Sequence, residues 1–162
     1  MTGRSLTIAA VLAWSVVAPA QSVAVRVAGP QSYSVSAADL ATMPRTKVTA
    51  TAHDQPVSYE GVSVRELLTR AGVPAGEALR GRDLAQAVVV TGADGYRVVF
   101  GVAEFDPAFT DRVAILADRK DGKSLTGNEA PFQLVLMGEK RPARWVRQVV
   151  SIDVQLVAGP LK

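Results

Sequence analysis

The chain has 162 residues, 48% of them hydrophobic, a formal net charge of +3 and no cysteine. Disulfides, thiolate ligands and lipid-modified cysteines are therefore excluded, so stability must come from a packed apolar core. The excess Lys and Arg alternate with acids and form no basic stripe, so nucleic acid is not the expected partner.

Arg4 precedes an apolar run over residues 6–17 and then Ala18-Pro19-Ala20, the layout of a secretory signal cleaved after Ala20. A run of about 12 residues at about 1.5 Å each reaches only about 18 Å, against a hydrocarbon core about 30 Å thick. The expectation is a periplasmic or secreted protein with no membrane contact once residues 1–20 are removed. Residues 21–162 then form a single domain, since no repeat, low-complexity tract or long linker divides them.

Residues 23–27 alternate apolar and polar side chains and predict a strand closed by Gly29-Pro30. Ser36 and Asp39 have the spacing of a capping box, which opens a short helix that Pro44 stops. Residues 47–52 (KVTATA) have period two and predict a half-buried strand, interrupted by His53-Asp54-Gln55-Pro56. Residues 57–62 extend again, and Ser63 with Glu66 reads as a second capping box. Its helix carries Val64, Leu67, Leu68 and Ala71 on one face and ends at Gly72 and Pro74.

Residues 79–84 are ambiguous between turn and helix, whereas 87–91 and 96–100 form a hairpin across Ala93-Asp94-Gly95. One helical turn is expected over 102–105 and strands over 113–117, 132–137 and 149–156, with a turn at Asp121-Gly122. Many short strands with two or three short helices predict an α+β, mainly β domain with mixed sheets.

Three segments, in order, carry a resemblance. Residues 58–73 (SYEGVSVRELLTRAGV), 91–105 (TGADGYRVVFGVAEF) and 122–154 (GKSLTGNEAPFQLVLMGEKRPARWVRQVVSIDV) resemble the molybdopterin-binding domain of the sulfite oxidase family. The matching features are a W-x-G-V-x-L-x-x-L-L element with Tyr59 near the aromatic position, a D-G-Y hairpin, and a basic loop with a Lys-Trp or Arg-Trp step at Arg144-Trp145. The resemblance implies the fold of that domain.

In the family's enzymes a cysteine thiolate after the strand that here reads VTATA binds molybdenum, and a nearby arginine helps to hold the cofactor. Here those positions fall at or beside His53 and Asp54, followed by Gln55 and Pro56. Neither an imidazole nor a carboxylate reproduces a soft anionic thiolate. The resemblance also implies that exported enzymes of the family travel folded, on a twin-arginine signal, whereas this chain has the single Arg4. No bound cofactor and no catalysis are therefore expected.

What the resemblance leaves is a reused cleft of His53, Asp54, Tyr59, Lys140, Arg141, Arg144 and Trp145, suited to a small anion or a periplasmic protein partner. Guanidinium groups bind oxyanions bidentately and an indole gives them an apolar wall. In the bland alternative, Trp145 is a core residue and the basic side chains cover it with their stems. The other functional reading is a molybdopterin-dependent oxidoreductase with Asp54 or His53 facing the metal.

Other chemistry finds little support. His53 is the only histidine, which excludes a multi-histidine metal site, and the run from Gly122 to Gly127 has one residue too many for a nucleophile elbow. A haem held by His53 and Met43 or Met137 lacks an attachment motif. Residues 118–122 with Glu129 differ from a calcium loop in the place of the glycine and in a Lys at a ligand position, and read as a hairpin turn.

Overall fold

The computed structural model describes residues 24–52 and 55–157. The expected signal, residues 1–20, lies outside them. In chain order the strands are β1 (Ala24–Ala28), β2 (Tyr33–Ser36), β3 (Thr46–Ala52), β4 (Gln55–Ser63), β5 (Gln86–Gly92), β6 (Arg97–Gly101), β7 (Ala114–Lys120), β8 (Lys123–Ser124), β9 (Gln133–Leu136) and β10 (Val149–Leu156). Helix α1 (Ala37–Thr42) follows β2 and α2 (Val64–Arg70) follows β4, with single 3₁₀ turns in several connections.

The first sheet has the order β2-β1-β10-β5-β6, and β1 pairs parallel with β10 while every other pair in it is antiparallel. The second has the order β3-β4-β7, with β8 and β9 sharing the far edge of β7. The domain is thus α+β and mainly β, with one mixed sheet, as the strand pattern predicts. Period-two side chains from both sheets, among them Val25, Val27, Val88, Val90, Ile115 and Leu134, join the apolar face of α2 in one core. Each fully buried aliphatic side chain contributes about 1.5–3 kcal/mol relative to exposure.

Local chemistry explains most element ends. At Ser36 the capping box forms as predicted, with Asp39 N–H donating to the Ser36 hydroxyl at 3.2 Å and Ser36 N–H donating to Asp39 Oδ2 at 2.8 Å. At Ser63 the box does not form. The Ser63 hydroxyl accepts from Arg65 N–H at 3.2 Å, while Glu66 turns outward to Arg70 at 2.7 Å, one turn on. The strand β2 escapes the pattern because it is only four residues long and runs directly into α1, and β7 runs past 117 to Lys120 because its pairing continues on β8.

Gly61 fixes the second sheet. The β4–β7 register shifts between Glu60 and Gly61, and a Cβ on Gly61 would lie 2.1 Å from the Leu116 carbonyl oxygen and 2.6 Å from Ala117 Cα. No larger residue fits so close an approach. On the polar side of the bulge, Arg45 pairs with Asp118 and with Glu60, the latter at 3.2 Å.

A second tie lies at the start of α2. The Asp106 carboxylate, 2% exposed, accepts from Gly76 N–H at 2.8 Å and Ala108 N–H at 2.9 Å and stands 3.6 Å from Arg65. Arg65 in turn donates to the carbonyls of Val73 at 3.0 Å and Pro74 at 3.1 Å. Burial acts to raise the Asp106 pKa, but the two amides and the guanidinium outweigh it and hold it below the ordinary carboxylate value. This cluster locks the turn after α2 to the loop before β7.

Candidate functional site

Tyr59 and Trp145 meet, and both are interior. Tyr59 is 1% exposed and Trp145 5%, and their rings pack edge to face with centroids 5.6 Å apart. Tyr59 arrives there because β4 alternates, placing Tyr59 and Gly61 on the inner face opposite Val48 of β3. Trp145 arrives through a 3₁₀ turn at Pro142–Arg144, and Leu134 N–H donates to the Val146 carbonyl at 2.8 Å, which fastens the segment along β9. The Trp145 indole N–H is buried without a hydrogen-bond partner.

Lys120 completes this cluster, a residue that sequence reading left in a turn. It pairs with Tyr59 across the β4–β7 ladder, its Nζ lies 5.7 Å from the Tyr59 ring centroid, and it donates to both carboxylate oxygens of Glu129 at 3.0 and 3.2 Å. Burial raises the Tyr59 pKa, with the Lys120 charge opposing, so the phenol stays protonated. For Lys120 burial acts downward, and the hydrogen bond and charge of Glu129, with Tyr59, outweigh it and hold it protonated. The cluster contains one cation and one carboxylate and is internally neutralised.

Arg144 takes a different direction. Its guanidinium lies 4.4 Å from the Phe100 ring centroid and pairs with Glu104 at 2.8 Å and Glu139 at 3.1 Å. Two carboxylates and an aromatic face already engage the residue expected to clamp an anion. Lys140, Arg141 and Arg147 are exposed, and among the described residues none of them forms an ion pair.

Arg147 is presented by the loop before β10. Gly92 allows this, since a Cβ there would fall 2.7 Å from the Arg147 carbonyl oxygen. Ala93 N–H donates to the Gln148 carbonyl at 3.0 Å, and Gln148 takes a left-handed φ of 48 degrees. The β5–β6 hairpin leans on the same loop, with the Tyr96 hydroxyl donating to the Ala143 carbonyl at 2.7 Å. Between hairpin and loop opens a groove of about 370 Å³ lined by Asp94, Tyr96, Pro142, Ala143, Trp145 and Arg147. Asp94 also lines the groove and accepts from Tyr96 N–H at 2.9 Å, so Arg147 shares the groove with a carboxylate, and among the described residues the two form no ion pair.

His53 and Asp54 lie outside the described residues. The β3–β4 ladder is described up to the Ala52–Gln55 pair, four rows from the Val48–Tyr59 pair. At about 3.4 Å per residue those rows are about 13 Å apart, so the end of the ladder stands well away from the Tyr59–Trp145 contact.

Among the described residues, which leave out His53 and Asp54, no group of three His, Cys, Asp or Glu side chains could hold a metal ion; the sequence offers no thiolate, and Arg144 is paired with two glutamates. Sequence reading missed Lys120, Glu129, Glu104, Glu139 and Asp94, and the pairs Lys120–Glu129 and Glu104–Arg144 join across 9 and 40 positions. No periodic signal marks such contacts.

The sequence of this chain matches no family model and no curated protein. Among solved structures, a chain of the sulfane dehydrogenase SoxCD from Paracoccus pantotrophus matches with a TM-score of 0.63 and 20% identity, over 84% of this chain and 39% of that one. This chain therefore spans less than half the length of that one. At this identity the likeness is one of fold alone.

Proposed function

We propose that the chain is an exported domain of the sulfite oxidase type that binds and does not catalyse. It takes a small oxyanion, free or carried on a periplasmic partner, in the groove beside Trp145. The observation that carries the reading is the state of the cationic residues: Arg144 is committed to Glu104 and Glu139, while Arg147 stands in a groove of about 370 Å³ with an indole and a phenol as walls. Lys140 and Arg141 are exposed and immediately precede Pro142 of the groove lining. The fold likeness to a sulfane dehydrogenase chain supports the family assignment, and the cysteine-free sequence supports loss of the metal ligand.

In this reading the Arg147 guanidinium offers paired N–H donors to the oxyanion, and the aromatic walls raise the strength of that contact by excluding water. The test is to purify the mature protein from cells competent for molybdopterin synthesis and measure metal and pterin. Substoichiometric molybdenum together with binding of inorganic sulfate or phosphate that Arg147→Gln weakens is the expected result. Molybdenum at one equivalent would overturn it.

A further inference from the structure

The strand β6 ends its sheet, and the hydrogen bonds around it identify the main-chain groups that face outward. Gly92 N–H donates to the Tyr96 carbonyl at 2.9 Å, so the hairpin closes on a hydrogen-bonded pair. The register then runs Thr91–Arg97, Val90–Val98, Val89–Val99, Val88–Phe100 and Ala87–Gly101 without a shift. Because hydrogen-bonded and non-hydrogen-bonded pairs alternate in an antiparallel ladder, Val98 and Phe100 turn their N–H and C=O groups to β5. Those of Arg97, Val99 and Gly101 turn away. The far end agrees, since Gly101 N–H donates to Glu104 Oε1 at 2.9 Å and not to β5. Among the described residues no group satisfies the main chain of Arg97 or Val99 on the outer side.

Free edges of this kind are usually blunted by proline, a bulge or an inward charge. The opposite edge of the same sheet is blunted: Ser36 N–H on β2 is taken by Asp39. The edge at β6 has no proline and no bulge, and its Val99 is 60% exposed. The charge beside it is mixed, but its cations without an ion pair among the described residues, Arg97, Lys140 and Arg141, outnumber its one unpaired acid, Asp94, while Glu104 and Glu139 share Arg144. Arg97 is exposed on the strand itself, and the loop bearing Lys140 and Arg141 lies against both ends of β6, through Tyr96–Ala143 and Arg144–Phe100. Of the nearby acids, Glu104 is paired with Arg144, and Asp94 stands at the hairpin turn, where it accepts from Tyr96 N–H.

We propose that β6 is a strand-addition edge that takes an extended acidic segment of a partner protein. The segment's main chain pairs with Arg97 and Val99, and its carboxylates meet Arg97, Lys140 and Arg141. Charge decides against a second copy of this chain, whose own basic loop would be brought up to this one. The inference does not depend on what the groove beside Trp145 holds, so molybdenum in the purified protein would leave it standing.

The experiment is a titration of the labelled protein with an acetylated, amidated Glu-Val-Glu-Val-Glu peptide at millimolar concentration, read by amide hydrogen exchange. Exchange at Arg97 and Val99 is expected to slow about tenfold, with no change at Val98 and Phe100, which are already paired. Val99→Pro removes one outward N–H without touching the β5 ladder and is expected to weaken binding about tenfold. The double variant Lys140→Gln, Arg141→Gln, which leaves the strand intact, is expected to lower both affinity and its salt dependence. Unchanged exchange at Arg97 and Val99, or equal protection by Lys-Val-Lys-Val-Lys, would overturn the proposal. Protection that rises with protein concentration in the absence of peptide would assign the edge to a second copy and overturn it equally.

Discussion

Arg65 and Arg144 both meet carboxylates, yet the regions around them are built differently. Arg65 has a side chain 12% exposed, donates to two carbonyls and faces a carboxylate that two backbone amides hold in place. Arg144 is 32% exposed, divides its charge between two glutamates and lies on Phe100. The first arginine closes a buried polar network, where losing a partner leaves a desolvated charge. The second staples a surface loop, where water can replace what is lost. A sequence step such as Arg-Trp thus marks where a cation stands, and only its partners decide whether the charge is available to a ligand.

The largest expected effect tests the buried side of that comparison. Asp106→Ala strips Arg65 of its counter-ion and leaves Gly76 and Ala108 amides unpaired, so a loss of about 3–5 kcal/mol is expected in chemical denaturation. A loss as small as that of a surface pair would erase the distinction between the two regions.

A pH series sharpens it. The folded Asp106 pKa is held below the unfolded value, so its stabilisation is present above the ordinary carboxylate range, about pH 4, and is lost as pH falls through the folded pKa. Asp106→Asn should therefore flatten the acid limb of the stability profile, measured by denaturation midpoints between neutral and strongly acidic pH. Parallel limbs in variant and wild type would show that other carboxylates govern acid unfolding.

Arg144→Ala is expected to cost about 1 kcal/mol, and Arg144→Lys to recover only part of it, because an ammonium neither forks between two glutamates nor stacks on Phe100. Smallest of all, Arg147→Gln should leave the unfolding midpoint within about 0.5 kcal/mol of wild type while weakening oxyanion binding, followed by isothermal titration with sulfate. A stability loss at Arg147 equal to that at Arg144 would make both arginines struts and empty the groove of its proposed role.

How much of this could be seen in the sequence depended on distance along the chain. The Ser36–Asp39 cap, the apolar face of α2 and the β5–β6 hairpin are local, and periodicity or turn chemistry suffices for each. Glu66 read as the partner of Ser63 because spacing cannot reveal that Arg70 competes for its carboxylate. The pairing of Tyr59 with Trp145 was accessible only through resemblance, since they are far apart in sequence and meet between β4 and the loop that follows β9. The Glu104–Arg144 and Lys120–Glu129 pairs were not accessible, because an ion pair across a fold leaves no pattern in either segment. His53 and Asp54, central to the sequence argument, lie outside the described residues, and of the other expected cleft residues only Trp145 lines the groove.

The last of the described strands, β10, sits in the middle of its sheet, between β1 and β5. During synthesis, β1–β2 and β5–β6 can each form from local contacts, but they remain two separate ribbons until residues 149–156 emerge. Assembly of that half of the domain is therefore a late, long-range event, and topologies dominated by such contacts fold slowly. Until then the facing edges of β1 and β5 are open to improper pairing, a window in which a holding chaperone would have the most to protect.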